Sequence, residues 1–78
     1  MVISVKEYRF LAASDQDRDG LTWECYYKFE GQETLVLEIF RNDGKKCFEV
    51  NQFVNDLPLE LYEYVIELSR SKLGNFQP

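Results

Sequence analysis

Acidic side chains recur at alternate positions in one short stretch of the chain, Asp15-Gln16-Asp17-Arg18-Asp19-Gly20. Carboxylate oxygens are the ligands that calcium prefers in proteins, and three of them at this spacing could surround one ion. Asp and Gly are also the residues that tight turns favour, because they accept backbone conformations that other residues avoid. The stretch therefore predicts either a cation site or a solvated turn between two strands.

These residues resemble the start of an EF-hand calcium loop, in which carboxylates and a closing glycine wrap oxygens around the ion. The resemblance implies Asp15, Asp17 and Asp19 as metal ligands. The ninth and twelfth loop positions are Trp23 and Tyr26, which lack the oxygen ligands of an EF-hand. Because the flanking segments are predicted strands and not helices, we favour the solvated turn. A small calcium-binding protein is the alternative function.

The remaining residues do not assemble a catalytic site. The chain has no histidine, its two cysteines are Cys25 and Cys47, and no phosphate-binding loop is present. A thiol without a histidine to activate it is not predicted as a nucleophile. The two cysteines are predicted on strands that are not neighbours, so we expect no disulfide between them. The sequence predicts a protein that is not an enzyme and that uses no cofactor.

The length and the net charge of the chain limit the kinds of partner that it can bind. The chain has 78 residues, with 14 acidic against 9 basic side chains and a formal net charge of −5. This length fits a single domain, residues 1–78. An acidic balance argues against nucleic-acid binding through phosphates and is compatible with a basic protein partner. No apolar run is long enough to span a bilayer, and the early charged residues lead us to expect no signal peptide. We therefore expect a cytoplasmic protein without a membrane partner.

Strands are predicted to supply the scaffold. Residues 21–30 and 34–41 alternate between apolar and polar side chains, as half-buried strands do. Asp43-Gly44 is a strong signal for a two-residue hairpin loop, which gives three pairs: Asn42 with Lys45, Ile39 with Phe48, and Leu37 with Val50. A three-residue loop over residues 31–33 aligns the apolar faces of the earlier hairpin, with these pairs: Phe29 with Leu35, Tyr27 with Leu37, and Cys25 with Ile39.

A strand is also predicted at the start of the chain and a helix at its end. Residues 2–13 are rich in β-forming side chains, and a bulge near Lys6-Glu7 would align their two faces. Asp56 is predicted as the N-cap of a helix that ends at Leu73, with Gly74 in a left-handed conformation. The predicted fold is α+β: a four-stranded antiparallel meander with one C-terminal helix packed on one face.

One helix leaves the other face of the sheet uncovered. The predicted register places Glu38 directly opposite Glu49 on that face, where like charges destabilise the pairing. The face is either an ordinary solvated surface or a docking surface for a basic protein, such as the target of an inhibitor or antidote-like protein. The second interpretation gives these partner-binding residues: Glu24, Tyr26, Glu38, Phe40 and Glu49.

The predicted helix carries more apolar surface than one sheet face requires. One stripe is predicted to pack on the sheet, and a second strip lies on nearly the opposite side. Either the chain's own tail covers this strip, or two copies of the protein bury it in a homodimer. The second interpretation gives these dimer-interface residues: Leu59, Tyr62, Ile66 and Leu73.

Overall fold

The computed structural model describes residues 7–14 and 17–78. The elements follow one another as β1 (Tyr8–Ser14), β2 (Gly20–Phe29), β3 (Gln32–Asn42), β4 (Cys47–Gln52) and α1 (Leu59–Leu73). Each strand pairs antiparallel with its neighbour in the chain, giving the sheet order β1-β2-β3-β4. The predicted α+β meander with one C-terminal helix is confirmed. Residues 2–6 of the predicted first strand, and Lys6 of its predicted bulge, lie outside the described residues.

The turn between β2 and β3 is one residue shorter than predicted. Phe29 pairs with Gln32, so Glu30 and Gly31 alone form the loop. Both have positive φ, 50° for Glu30 and 78° for Gly31, as a type I′ hairpin turn requires. The predicted three-residue loop and its pairs are therefore wrong: Cys25 lies opposite Leu37, and Trp23 lies opposite Ile39.

A bulge in β3 reconciles this short turn with the burial pattern. Cys25 pairs with Leu37 but the next residue, Tyr26, pairs with Leu35, so Val36 is the extra residue. The Val36 carbonyl accepts a hydrogen bond of 3.0 Å from the amide of Phe53. Both Val36 and Leu37 are buried as a result. Alternation alone assigns these two residues to opposite faces, and the bulge breaks that alternation.

The turn between β3 and β4 is longer than predicted. Asn42 pairs with Cys47, which leaves residues 43–46 in the turn. The Lys45 amide donates to Asn42 Oδ1 at 2.9 Å, so a side-chain oxygen replaces the main-chain acceptor of a two-residue loop. The predicted pairs with β4 are consequently displaced by two residues: Ile39 faces Val50, Phe40 faces Glu49, and Glu38 faces Asn51. A displacement of two keeps each side chain on its predicted face.

Helix α1 ends where the sequence predicts but begins two residues later than expected. Pro58 is the N-cap residue, and no side chain caps the first turn, so the predicted Asp56 N-cap is wrong. Asp56 instead has a positive φ of 60°. Gly74, with φ 71°, follows the last helical residue, as glycine often does at helix ends. Within the described ranges, no helix has both the length and the apolar character needed to cross a bilayer.

The core lies between α1 and the face of the sheet that it covers. Leu61 and Val65 of α1 are fully buried against β2 and β3. Burying each such side chain is worth about 1.5–3 kcal/mol, so this contact fixes the helix on the sheet. The buried apolar residues form one cluster: Trp23, Cys25, Val36, Leu37, Ile39, Leu61, Val65 and Leu73.

A charged pair closes the far end of this core. Arg41 lies on the covered face, where its Nε donates to Asp43 Oδ1 at 2.9 Å and its Nη2 donates to Asp43 Oδ2 at 3.0 Å. Arg41 Nη1 also donates to the carbonyl of Leu73, the last residue of α1. Asp43 Oδ1 accepts a further bond of 3.0 Å from the Gln77 amide. The pair therefore joins β3, its turn, the helix end and the tail.

Candidate functional site

The sheet face away from α1, called the outer face here, carries all the residues predicted to bind a partner. Glu24 lies directly opposite Glu38, and Phe40 lies directly opposite Glu49. Tyr26 is two residues along β2 from Glu24 and therefore shares its face. The grouping of these five side chains on one face follows from the strand alternation, although the register between them differs from the predicted one.

Arg18 covers part of the outer face. Its guanidinium carbon lies 4.1 Å from the centre of the Phe40 ring, and its Nη2 donates to Glu38 Oε1 at 3.0 Å. Phe40 is 1% exposed and Glu38 is 6% exposed. The expectation that both face solvent is therefore wrong, because the Arg18 side chain lies over them. Strand alternation identifies a face but gives no information about a side chain from outside the strands that covers it.

Arg9 binds the same face in a second, more exposed arrangement. Its guanidinium carbon lies 4.5 Å from the centre of the Tyr26 ring, and its Nε donates to Glu33 Oε2 at 2.6 Å. The Tyr26 hydroxyl donates to Glu24 Oε1 at 3.1 Å. Burial, and then this bond to Glu24, raise the pKa of the Tyr26 hydroxyl. The neutral hydroxyl thus holds the Glu24 carboxylate in a fixed position.

Asparagine side chains orient the remaining carboxylates. Asn51 Nδ2 donates to Glu38 Oε1 at 3.1 Å, directly across the β3–β4 pair. Asn42 Nδ2 donates to Glu49 Oε1 at 3.1 Å. Neutral amide donors satisfy carboxylate oxygens without cancelling their charge. The outer face is therefore an ordered set of carboxylates and aromatic rings.

A guanidinium between a ring and a carboxylate is the recurring unit of this surface. It occurs once with Arg9, Tyr26 and Glu33, and once with Arg18, Phe40 and Glu38. Both contacts are of the kind by which proteins recognise arginine, since the ring attracts the cation and the carboxylate accepts its hydrogen bonds. The sequence prediction included neither arginine. A correct β1–β2 register would have found Arg9, which pairs with Tyr26.

The described part of the aspartate stretch contributes a backbone contact to the fold. Asp15 lies outside them, while Asp17 and Asp19 are exposed. The Asp19 carbonyl accepts a bond of 2.8 Å from the Asp43 amide. In residues 7–14 and 17–78, no three His, Cys, Asp or Glu side chains cluster as metal ligands would.

The structure explains why position 20 is a glycine, and this explanation requires no bound ion. It is the first residue of β2, and a Cβ there would lie 1.8 Å from the Arg41 carbonyl oxygen. Side chains never approach a backbone oxygen so closely, so only glycine fits this pairing with β3. The glycine of the aspartate stretch is thus explained by the sheet.

The second apolar strip of α1 is divided between the core and the surface. Leu73 is 3% exposed and belongs to the core, so its predicted place in an exposed strip is wrong. Tyr62 is half-buried and its hydroxyl bonds to Gln52 Oε1. Leu59 is 70% exposed and Ile66 is 37% exposed. Phe76 of the tail packs on Phe48, with ring centres 5.1 Å apart, and does not cover Leu59 and Ile66.

Both cysteines are free thiols in the structure. Cys25 is buried in the core, and this burial raises the pKa of its thiol to about 11. A thiol held in its neutral form is a poor nucleophile. Cys47 is half-buried on β4, at the position that pairs with Asn42.

No protein-family model, curated protein or solved structure matches this chain.

Proposed function

We propose that the protein is a non-catalytic protein–protein interaction module, located in the cytoplasm, whose outer face binds a basic partner. An acidic inhibitor or antidote-like protein is the kind of module that we infer. The partner's arginine or lysine side chains would lie over the exposed parts of Tyr26 and between the carboxylates of Glu24 and Glu49. Rings act as anchors in such an interface, and carboxylates speed the encounter with a basic surface.

The observation that carries this proposal is the pair of arginines that the face already holds. Arg9 and Arg18 each contact a ring and a carboxylate of the sheet. A surface that orders two guanidinium groups of its own chain has the chemistry to order those of another. The Arg18 side chain is 39% exposed, so a partner can reach it, and a partner's arginine would contact Glu38 and Phe40 only by displacing Arg18.

Binding assays on two double variants test the proposal, and each variant replaces two carboxylates by neutral amides. Glu24→Gln with Glu49→Gln removes two carboxylates from the outer face, whereas Glu63→Gln with Glu67→Gln removes two from an exposed part of α1. Each protein serves as bait for cell extract at low and at high salt. We expect a partner that the wild type and the helix variant retain at low salt, and that the sheet variant loses. Equal retention by both variants would contradict the proposed surface.

A homodimer is a second, compatible proposal. Val50 of β4 is 50% exposed and, with Ile66 of α1, lines a groove of about 150 Å³ between strand and helix. Helix α1 packs over β2 and β3 and does not extend fully over β4, so β4 is partly open on the helix side of the sheet. Two copies that pack α1 against α1 would bury Leu59, Tyr62 and Ile66 together with this groove.

A further inference from the structure

A pocket of about 420 Å³ lies at the end of the sheet next to the start of α1. Its walls come from β1, β2 and β3 and from the segment that joins β4 to the helix, so it is separate from the outer face. A volume in the range of 300–1,000 Å³ is typical of small-molecule sites. These residues line it: Glu7, Tyr8, Tyr27, Thr34, Val36, Val54, Asp56, Leu57 and Pro58.

Two tyrosine rings form an angled wall of this pocket. The centres of the Tyr8 and Tyr27 rings lie 5.3 Å apart, and their planes are inclined by 50°. Burial raises the pKa of the Tyr8 hydroxyl, and so do the neighbouring Cys25, Tyr27 and Glu7. Because the two rings touch each other, a cation lies against the surfaces that they contribute to the pocket, where the electrons of the rings attract it.

The charges of the pocket have one sign. Glu7 and Asp56 contribute carboxylates, and the described lining contains no lysine or arginine. Val36, Val54 and Leu57 supply the apolar part of the wall. Both carboxylates would attract a cation in the pocket and repel an anion.

Local features of the backbone restrict the conformation of the pocket rim, residues 54–58. Asp56 has a positive φ of 60°, a backbone conformation that few residues other than Gly, Asn and Asp adopt. Leu57 precedes Pro58, which restricts its backbone to extended conformations. Val54, in the same segment, packs against the core. A rim with restricted backbone loses less conformational entropy when a ligand binds.

We propose that this pocket binds a small organic cation, an ammonium group that carries apolar substituents. The ammonium lies against the Tyr8 and Tyr27 rings and within reach of Glu7 and Asp56, and the substituents contact Val36, Val54 and Leu57. The proposal does not depend on the outer face, because none of the residues predicted to bind a protein partner lines the pocket.

Three probes of one shape and different charge test the proposal on the full chain. Choline is the cation, dimethylbutanol is its neutral carbon isostere, and dimethylbutyrate is the corresponding anion. Amide shifts in nuclear magnetic resonance spectra report binding and its location. We expect choline to move the amides of Tyr8, Tyr27 and Asp56 and to bind about tenfold more tightly than dimethylbutanol. Equal affinity for the two probes, or shifts confined to other residues, would overturn it.

Two variants separate the charge from the rings. Asp56→Asn removes one carboxylate and keeps the positive φ, since Asn accepts this conformation as readily as Asp. Tyr27→Leu removes one ring. Both should weaken choline binding several-fold, whereas Glu63→Gln, outside the pocket, should not. If Tyr27→Leu does not fold, Asp56→Asn decides alone: unchanged choline affinity in that variant would contradict the proposal.

Discussion

Arg41 and Asp43 are two residues apart in the chain and face each other through two parallel hydrogen bonds inside the fold. Arg41 is 5% exposed and Asp43 is 4% exposed. A buried pair of this kind fixes geometry, because each charge would be costly without the other. The third contact of Arg41, to the Leu73 carbonyl, places a positive charge at the negative end of the helix dipole.

Stability should depend on the Asp43 carboxyl in acid. The hydrogen bonds from Arg41, and then that from the Gln77 amide, lower the pKa of Asp43 below its usual value, although burial acts in the opposite direction. The unfolded chain therefore takes up this proton first as the pH falls, at about pH 3.9. The contribution of the pair is complete above that pH and is lost as the pH falls through the lowered pKa of the folded state.

Urea unfolding curves of the wild type and of Asp43→Asn, followed by Trp23 fluorescence, check this expectation. The wild type should exceed Asp43→Asn by a constant free energy of unfolding between pH 5 and 7, and the difference should shrink below about pH 4. Glu63→Gln, at an exposed helix position, is the control and should show no such change. An equal difference at pH 3 and pH 6 would rule out Asp43 as the titrating group.

The observed register predicts which carboxylate destabilises the sheet. Glu24 lies directly opposite Glu38, whereas Glu49 lies opposite Phe40 and accepts a bond from Asn42. Glu24→Gln should raise the free energy of unfolding by about 0.2–1 kcal/mol, because it relieves the repulsion and keeps an acceptor for Tyr26. Glu49→Gln should not be stabilising. Thermal melts of both variants distinguish them, and the reverse ranking would support the register expected from the sequence.

Calcium should have no effect on stability. A ligand that binds the native state alone raises the melting temperature by mass action. We therefore expect melting curves in millimolar calcium and in chelator to coincide. A rise of several degrees in calcium that Asp17→Asn abolishes would instead favour the alternative function, a small calcium-binding protein.

The proposed dimer should depend on Ile66. Sedimentation of the wild type should give the mass of a homodimer, and Ile66→Glu should give a folded monomer, since burying an unpaired carboxylate in the interface is unfavourable. Glu67→Lys, an exposed change beside it, should leave the dimer intact. A wild-type monomer would refute the proposal. A monomer that Ile66→Glu unfolds would place this side chain in the domain's own core.

The sequence predicted the elements because their periodicity is strong, as in β2 and α1. The predicted loop lengths were wrong, because contacts of single residues determine the length of a loop. In the β3–β4 turn, the Asp43 amide donates to the Asp19 carbonyl and the Asp43 carboxylate accepts from the Gln77 amide, and both partners are distant in sequence. The Val36 bulge likewise depends on the Phe53 amide, which belongs to a later part of the chain. A local pattern carries no information about such partners.

The candidate surface was also predicted only in part. Alternation placed Glu24, Tyr26 and Phe40 on one face, and the structure has them there. The two arginines that contact this face come from β1 and from the segment before β2, and their positions require a correct fold. The tyrosine pocket could not be predicted, because its residues come from separate parts of the chain.

The meander has a consequence for the speed and order of folding. Hairpins between neighbouring strands close short loops, which costs little chain entropy, whereas α1 contacts strands far from it in sequence. We expect the sheet to form in the transition state and the helix to dock afterwards. In stopped-flow experiments, Ile39→Val should then slow refolding, whereas Val65→Ala should mainly accelerate unfolding. The opposite assignment would mean that the helix belongs to the folding nucleus.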